Sequence, residues 1–384
     1  PYLRLHPDLV LEEEAYIIQQ DGLMAKKKYR IFGITSRLLM LIVAALLALS
    51  YLSIVINPAR IWLVSLSGIF YVPLMTLNLI LLLWALKRRS RSFMIPLLAL
   101  IPSFFFIGRY VQFNSDEAID APVAENTVKI LTWNVGRFAL HDKAAGVSGI
   151  SQCVDSVFTF IKQQDPDIIC LQEFSVGSKE KVRDYLKREF KGYTAEYYLF
   201  PEKNRSFGNV TLSRLPVDGK GKIKFEESAN LAIYTDHTYG DRSFRVYNCH
   251  FESYNISLAG LVRAVAKRDS TVMAETGTKM KRSITRRPKQ VDRVFDDIEN
   301  CPLDAFVCGD FNDNPMSYTY FRMTRGRKDA FVEAGDGFGA TYSVLWPMLR
   351  IDYVLLPDGC RAVTHDIPRL PYSDHYPVIT EIEL

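Results

Sequence analysis

Two long uncharged stretches of apolar residues dominate the first third of the chain. They cover residues 38–56 and 61–86, and each exceeds the roughly 18 apolar residues that indicate a membrane-spanning helix. A third apolar stretch, residues 93–107, is shorter and contains prolines. We expect it to cross as well, because the basic side chain of Arg109 can extend to the membrane interface. The pattern predicts a transmembrane region of about three helices over residues 34–113.

The charges that flank these stretches predict their orientation in the membrane. Basic residues precede the first stretch and separate the second from the third, namely Lys26, Lys27, Lys28, Arg30, Arg37, Lys87, Arg88, Arg89 and Arg91. The connection between the first two stretches carries only Arg60. Because basic loops remain in the cytoplasm, we expect a multi-pass protein of the cell (inner) membrane. Residues 1–33 would then be cytoplasmic, and the chain after the third crossing would lie on the extracytoplasmic side.

After residue 113 the chain first becomes polar, and then short apolar runs alternate with polar stretches. Residues 114–126 are interpreted as a short polar linker, and residues 127–384 mix short apolar runs with polar and helical stretches. Several runs are apolar throughout, at residues 168–171, 305–308 and 353–356. Such strands have to be covered on both faces, and amphipathic helix candidates lie between them at residues 151–164 and 288–300. We therefore predict a layered α/β domain with sheets inside and helices outside.

Composition changes this picture little. The 384 residues are 48% hydrophobic and 23% charged with a net charge of +4, so no strong overall field indicates nucleic acid or an anionic surface as a partner. The cysteines show no metal-ligand spacing. Cys170, Cys249 and Cys308 lie inside apolar runs and are interpreted as buried thiols. A disulfide among Cys301, Cys308 and Cys360 is the less favoured alternative.

Polar side chains stand at or beside the ends of the apolar segments of the α/β region. They are amides, carboxylates and imidazoles: Asn134, Glu173, His250, Asp310, Asn312, Asp352, Asp374 and His375. Taken singly, asparagine and aspartate often stop strands and start turns, and a lone histidine is commonly a hydrogen-bonded structural residue. Taken together, they supply metal-ligating oxygens, imidazoles and amides from well-separated parts of the chain. We therefore expect them to gather at one site.

The segments around these residues resemble the endonuclease/exonuclease/phosphatase (DNase-I-like) superfamily, in the expected order. The matching segments are Thr132-Trp133-Asn134, Leu171-Gln172-Glu173, Asn248-Cys249-His250, Gly309-Asp310-Phe311-Asn312, Arg350-Ile351-Asp352-Tyr353 and Ser373-Asp374-His375. Residues 207–216 also look like a strand of that family. The resemblance covers residues 127–384 and implies a four-layer α/β/β/α sandwich with the active site at one edge of its two sheets. The chain would be a membrane-anchored, bacterial-type member.

The resemblance implies a metal-dependent phosphoesterase that attacks a phosphodiester with water. Glu173 would be the principal ligand of Mg²⁺ (or Mn²⁺), a hard cation that prefers carboxylate oxygen. Asn134 would hold a phosphate oxygen or a metal-bound water, and Asp374 would complete the metal site. Asp310 would take a proton from the attacking water while Asn312 orients that water.

The remaining residues would act on the phosphoryl group. His375 would donate to a phosphoryl oxygen, and Asp352 would fix its tautomer and favour its cationic form. His250 would bind the phosphate or assist the leaving group. Asn209, with Asn134 and His250, is assigned to substrate binding. A decayed relative without turnover, serving as a membrane scaffold, is the non-enzymatic alternative, but none of the expected carboxylates is missing.

Two positions depart from specialised branches of this family. The abasic-site nuclease branch has a second acidic residue two places after the asparagine that corresponds to Asn134, where this chain has Gly136. The inositol-polyphosphate phosphatase branch has an arginine two places after the asparagine that corresponds to Asn312, where this chain has Asn314. Neither specialised signature is met, and a role in DNA repair is not favoured.

The substrate class follows from location more than from any motif. The basic run of residues 279–289 is interpreted as a solvated loop leading into the helix 288–300, with contact to nucleic acid or anionic lipid as the alternative. An extracytoplasmic domain tethered to a bilayer meets lipid headgroups continuously, so we favour a lipid phosphodiester or a similar phosphoester. A nuclease acting on external DNA or RNA is the alternative. No obligate protein partner is indicated.

Overall fold

The computed structural model describes residues 33–113, 126–139, 149–177, 181–254, 266, 267 and 269–384. The predicted cytoplasmic segment 1–33 and the predicted linker 114–126 lie outside this part of the chain except for their last residues. The described residues form two compact units. One contains Val72–Ser103 and the described residues up to Leu49, and the other contains Ser50–Tyr71 and Phe104–Leu384.

Apolar helices make up the N-terminal region. They are α1 (Gly33–Leu52), α2 (Trp62–Ile69), α3 (Tyr71–Lys87) and α4 (Met94–Leu100). In the first unit α1 packs against α3 through Met40, Val43, Leu81 and Ala85. The side-chain amide of Asn78 donates a hydrogen bond to the Val43 carbonyl at 3.2 Å.

The helices differ in their capacity to cross a bilayer. Helix α1 has 20 residues and a mean hydropathy of 2.0, which is long and apolar enough for a span. Helices α2 and α3 meet the same test only as a pair, and they are bent by 62°. The third predicted stretch forms the shorter apolar helix Arg91–Phe105, because Pro96 and Pro102 interrupt regular helical bonding. That it crosses stays a prediction.

The second unit contains the strands of the molecule and the helices that cover them. The strands are β1 (Val111–Phe113), β2 (Thr127–Asn134), β3 (Ile168–Val176), β4 (Thr194–Glu202), β5 (Arg205–Ser213), β6 (Val217–Lys224), β7 (Leu231–Tyr239), β8 (Arg242–His250), β9 (Asp304–Asp310), β10 (Arg327–Asp329), β11 (Asp336–Phe338), β12 (Asp352–Pro357), β13 (Arg361–Asp366) and β14 (Val378–Glu383). The helices are α5 (Ile150–Gln164), α6 (Val182–Glu189), α7 (Ser270–Glu299), α8 (Tyr318–Met323) and α9 (Ala330–Ala334). Among the described residues these strands form two six-stranded sheets, in the orders β13-β14-β2-β3-β5-β4 and β10-β12-β9-β8-β7-β6, and a β1-β11 ribbon.

Three apolar cores hold the layers together. The central core joins the two sheets, with Ile130 and Cys170 from one and Val246 and Cys308 from the other. A second core packs α5 and α6 on the outer face of the first sheet, and a third packs α7 and α8 on the outer face of the second. Both sheets are therefore covered on both faces, as their apolar strands require. The predicted four-layer α/β/β/α sandwich is confirmed.

Some predicted boundaries were wrong. The strand that begins at Ile168 does not end before Gln172 but continues to Val176. Helix α7 does not begin at Pro288 but at Ser270, and Pro288 lies inside it. The basic run 279–289 is therefore part of a helix and not a loop. The six cysteines are free thiols, so the alternative disulfide is not formed.

The segment between the third apolar stretch and the predicted linker packs with the sandwich. Strand β1 pairs with β11 in antiparallel register, and the Tyr110 carbonyl accepts a hydrogen bond from the Gly339 amide at 2.9 Å. The guanidinium of Arg109 lies 4.2 Å from the centre of the Phe321 ring. The compact unit thus includes residues that precede the predicted domain start at residue 127.

Candidate active site

Strand register brings the predicted polar residues to one edge of the second sheet. Strands β8 and β9 are parallel and pair His250 with Asp310. Strands β9 and β12 are antiparallel and pair Asp310 with Asp352. In the first sheet the parallel strands β2 and β3 pair Asn134, the last residue of β2, with Gln172 in the middle of β3, next to Glu173. The chemistry predicted at separate strand ends therefore forms a row across neighbouring strands.

Glu173 reaches the site because β3 contains a bulge. The pairing of β3 with β5 shifts between Leu171 and Phe174, and both of these residues pack into the core on the helical side. An inserted residue re-aims the side chains beside it, and Glu173 has the left-handed backbone angle φ = 50°. A strained non-glycine residue of this kind is typical of functional sites. The bulge turns the Glu173 carboxylate out of the regular alternation of the strand.

The turn after Asn134 explains one departure from the abasic-site nucleases. Gly136 has φ = 51°, and a Cβ added there would lie 3.2 Å from the Asp374 Oδ1 and 3.2 Å from the Ser373 Oγ. A side chain is disfavoured at such an angle. Asp374 therefore brings its carboxylate next to the position where that branch carries an acidic residue.

Asp310 is a buried carboxylate that accepts several hydrogen bonds. Its Oδ2 accepts hydrogen bonds from the side-chain amides of Asn134 at 2.9 Å and Asn312 at 3.0 Å, and its Oδ1 accepts the backbone amide of Asn312 at 2.8 Å. Burial is the main cause that raises the pKa of Asp310 to about 6, and the neighbouring imidazoles act against that rise. Asp310 is thus ionised near neutral pH and more basic than an exposed aspartate.

His375 carries a charge because carboxylates surround it. Its Nδ1 lies 2.9 Å from the Asp352 Oδ2, and its Nε2 lies 3.8 Å from the Asp310 Oδ2. Burial alone would lower the pKa of His375, but Asp352 and Asp310 together raise it to about 10. The imidazole is therefore cationic at neutral pH, with its Nε2 proton directed into the site, as the predicted role requires.

His250 is the uncharged counterpart. Its Nε2 lies 3.7 Å from the Asp310 Oδ2 and 3.8 Å from the Glu173 Oε1, and it has no hydrogen-bond partner among the described residues. Burial is the main cause that lowers the pKa of His250. A buried imidazole nitrogen without a partner costs free energy, and it indicates a position where a bound group makes the missing hydrogen bond.

A family model decides what this arrangement belongs to. The model described as the endonuclease/exonuclease/phosphatase family matches residues 131–375. The chain belongs to the endonuclease/exonuclease/phosphatase family. Members of this family are hydrolases that act on phosphoester bonds, and they generally use divalent metal ions. A second model, described as a domain of unknown function (DUF8431), matches residues 30–110.

Several solved structures are similar to the chain. An endonuclease/exonuclease/phosphatase from Beutenbergia cavernae DSM 12333 is 17% identical, covers 68% of this chain and 72% of its own length, and has a TM-score of 0.49. The human Nocturnin catalytic domain with bound sulfate is 14% identical, and the match covers 70% of this chain and 99% of that domain with a TM-score of 0.49. D. rerio TDP2 complexed with a single-strand DNA product is 15% identical, and the match covers 67% of this chain and 99% of that chain with a TM-score of 0.47. A comparison with curated proteins finds no match.

The donor set of this family member fits a hard divalent cation. The Glu173 side chain keeps 28% of its surface exposed, and its carboxylate lies next to the unpartnered nitrogen of His250. Glu173, with the oxygens of Asn134 and Asp374, would hold the ion, and oxygen donors suit Mg²⁺ or Mn²⁺. Ligand atoms of Asp310, Asp352 and His375 lie within 4.8 Å of one another. Because the His375 Nδ1 is bonded to Asp352, we assign that trio to proton chemistry.

Asn209 stands apart from the other predicted residues. It is fully buried, and its side-chain amide donates to the backbone carbonyls of Asn248 at 3.0 Å and Leu231 at 3.3 Å. Asn248 in turn accepts a hydrogen bond from the Gln172 amide at 2.8 Å. The side-chain oxygen of Asn209 has no hydrogen-bond partner among the described residues, and the role of Asn209 in substrate binding stays a prediction. The side chain faces the space between the sheets and supports β7 and β8, the second of which carries His250.

Two residues of the site were not identified from the sequence. The Arg137 Nε lies 3.5 Å from the Glu173 Oε2, and the Tyr342 ring stands edge-on to His375 at 5.1 Å between ring centres. Burial and the nearby acidic side chains, Asp374 first among them, raise the pKa of Tyr342 to about 12, so its hydroxyl keeps its proton. Both residues lie in irregular segments, where no period or motif marks them.

Proposed function

We propose that the chain hydrolyses a phosphoester by attack of water, with Asp310 as the general base. The observation that carries this proposal is the environment of one oxygen. The Asp310 Oδ2 accepts the Asn134 and Asn312 amides and lies within 3.8 Å of two buried imidazole nitrogens. A carboxylate whose pKa is raised to about 6 is matched to proton transfer near neutral pH.

The residues around Asp310 orient the water, bind the phosphoryl group and hold the metal ion. Asn312 orients the attacking water beside Asp310, and the cationic His375 donates its Nε2 proton in a hydrogen bond to a phosphoryl oxygen. His250 binds the phosphate or the leaving oxygen with its unpartnered Nε2. Mg²⁺ (or Mn²⁺), when bound at Glu173, supplies positive charge that offsets the charge developing on the phosphoryl oxygens.

We further propose that the domain lies on the extracytoplasmic side of the cell membrane. Residues Ser50–Tyr71 belong to the same compact unit as the sheets, so the end of α1 and the sandwich share one side of any membrane that α1 crosses. The connection from α1 to α2 carries only Arg60, whereas Lys87, Arg88, Arg89 and Arg91 follow α3, and the positive-inside rule favours the cytoplasm for that cluster. If α3 also crosses the membrane, the chain is on the cytoplasmic side after α3, and residues 91–105 have to cross again to return it to the extracytoplasmic side. A reporter fused after Leu384 that scores cytoplasmic would overturn this orientation.

This orientation favours a lipid phosphodiester as the substrate. A site tethered beside a bilayer meets phosphate headgroups at a high effective concentration. The exposed side chains of Phe104, Phe105 and Phe113 lie in the same unit as the sandwich and are suited to the membrane interface. A lipid headgroup therefore satisfies both the chemistry of the site and the apolar character of the segment before it.

A nuclease remains the second candidate, and one row of side chains supports it. Arg137 forms an ion pair with Glu173, and its guanidinium lies 3.8 Å from the centre of the Phe207 ring. The rings of Phe200 and Tyr198 continue from Phe207 at centre distances of 6.1 and 5.1 Å. Lys222 and Lys224 each lie 4.7 Å from the Tyr198 ring. Aromatic and cationic side chains in alternation are typical of surfaces that bind single-stranded nucleic acid.

A substrate panel with the full chain separates these readings. The purified chain with Mg²⁺ is offered bis-p-nitrophenyl phosphate, a short-chain sphingomyelin analogue and plasmid DNA. We expect hydrolysis of the first two, lost with EDTA and in Asp310→Ala. Cleavage of DNA alone would favour the nuclease. Silence on every substrate would contradict the hydrolase and favour a membrane scaffold that keeps the fold.

A further inference from the structure

We propose that Asn314 is a positioning residue that ties the catalytic loop to residues 50–71, which contain the end of α1, the connection that follows it and helix α2. The catalytic loop is defined as residues 311–317, between β9 and α8. It follows Asp310 directly and contains Asn312, which has the left-handed backbone angle φ = 52°. The inference rests on the proposed function, because it concerns how that site is held.

Asn314 joins the two segments through its side chain. It is buried, and its Nδ2 donates to the Gly68 carbonyl at 3.0 Å and to the Ile69 carbonyl at 3.4 Å. These carbonyls lie at the end of helix α2, where the Gly68 carbonyl also accepts the backbone amide of Phe70. The Asn314 Oδ1 accepts the Met316 amide at 2.9 Å. One side chain therefore closes the loop on itself and caps a helix outside the sandwich.

A second contact fixes the same two segments at very close range. The Ser53 hydroxyl donates to the Met316 carbonyl at 2.7 Å. A Cβ added to Gly68 would lie 2.3 Å from the Ser53 Oγ and 2.4 Å from the Met316 carbonyl oxygen. The backbone of α2 thus approaches the loop so closely that only glycine fits. Such an approach defines the position of the loop more sharply than the hydrogen bonds alone.

The other end of the loop is held by the sandwich. The Asp313 carboxylate pairs with the fully buried Arg287 at 3.0 Å, and the Asp313 carbonyl accepts the Tyr353 hydroxyl at 2.9 Å. Asp313 is thus fixed to α7 and β12, while its neighbour Asn314 is fixed to α2. Asn312 comes immediately before these two anchored residues, and we infer that loss of the Asn314 anchor would loosen the loop that carries the residue orienting the water. An error of about 1 Å in such a position costs up to about a hundredfold in rate.

The position of Asn314 also accounts for a departure from a related branch. The inositol-polyphosphate phosphatase branch of the family, whose signature this chain does not meet, has an arginine at this place. Here the side chain is turned away from the phosphate chemistry and buried against α2. The place that holds an arginine in that branch is therefore used in this chain to connect the catalytic loop with residues 50–71.

The test compares Asn314→Asp with Ser67→Ala in the full chain. Asn314→Asp keeps the size and the acceptor for Met316, but it loses the donor to α2 and sets a negative charge against the negative end of a helix. Ser67 is a buried serine of the same segment, and within the described part of the chain its hydroxyl donates to the Val64 carbonyl of that segment. Ser53→Ala serves as a milder second variant, should Asn314→Asp fail to fold.

Two measurements decide the outcome. For bis-p-nitrophenyl phosphate with Mg²⁺, we expect Asn314→Asp to lower kcat about tenfold, with KM within about twofold. Amide hydrogen exchange of residues 311–317, which needs no activity, should be faster in Asn314→Asp and Ser53→Ala than in Ser67→Ala. Equal behaviour of all variants in both measurements would overturn the inference. An inactive wild-type chain would instead sink the proposed function, and the exchange measurement would still decide the contact.

Discussion

His375 and His250 approach the same oxygen of Asp310, at 3.8 and 3.7 Å, yet they differ in charge. Both are buried, and burial lowers the pKa of each. His375 has Asp352 behind it at 2.9 Å, and its pKa rises to about 10. His250 has no hydrogen-bond partner at its Nε2 among the described residues, and its pKa is lowered.

The difference shows that the residue behind an imidazole determines what the imidazole can do. Within hydrogen-bonding distance of its Nδ1, a carboxylate converts a buried histidine into a fixed cation that donates to an oxyanion. Without one, the ring stays neutral and its free nitrogen is left for a ligand. The site therefore offers a charged donor and an uncharged partner on either side of one base.

Replacing the shared base should remove this distinction altogether and produce the largest effect. We expect Asp310→Ala to lower kcat at least about 100-fold, because a positioned general base commonly contributes 10²–10⁴-fold. The measurement is hydrolysis of bis-p-nitrophenyl phosphate by the full chain at pH 7 with saturating Mg²⁺. Asp310→Asn, which keeps the shape but cannot take the proton, should lose a similar factor. A near-normal rate in either variant contradicts the role of Asp310.

Removing the Asp352 carboxylate next to His375 should bring the charge state of His375 closer to that of the neutral His250. In the wild-type chain the rate should rise with pH through about 6, as Asp310 ionises, and fall through about 10, as His375 loses its proton. Asp352→Asn removes the largest of the causes that raise the pKa of His375, so the falling limb should move to lower pH. At pH 7 we expect a loss of roughly 10- to 100-fold, as for other supporting partners.

A matched control separates this effect from a general change of charge. Asp358 follows the same strand, β12, at its other end and is exposed. Asp358→Asn should leave both limbs of the pH–rate profile in place. If Asp352→Asn also kept the wild-type profile, the pairing of Asp352 with His375 would not be what sets the charge of the imidazole.

The sequence identified the parts of the fold whose signal is local. The strands that contribute to the central core are apolar throughout because both faces are covered, so Ile168 and Phe306 mark them directly. The end of β3 was missed because the bulge at Glu173 depends on pairing with β5, which no single segment encodes. The start of α7 was missed because Pro288 is typical of a first helical turn. Packing of Ile284 and Val291 outweighs the hydrogen bond that Pro288 removes.

The candidate site was also predicted only in part. The residues at strand ends were found because amides, carboxylates and imidazoles interrupt apolar runs, as at Asp310. Arg137 and Tyr342 were not, because a short 3₁₀ helix and an isolated β-bridge hold them at the site, and neither has a pattern in the sequence. The contact of Asn314 with α2 joins parts of the chain that are about 250 residues apart, and neither segment carries a pattern that indicates the other.

Replacing the neutral histidine should have the smallest effect and tests the other half of the comparison. Gln at position 250 can offer an amide near the place of the Nε2, so we expect His250→Gln to lower kcat/KM only about three- to tenfold, the value of about one hydrogen bond. His237→Gln is the matched control, because His237 is also buried, and its ring bonds to the Thr235 hydroxyl and the Pro216 carbonyl. It should leave kcat/KM unchanged. A loss in His250→Gln as large as that of Asp310→Ala would mean that His250 transfers a proton itself, and the division of roles between the two histidines would have to be reversed.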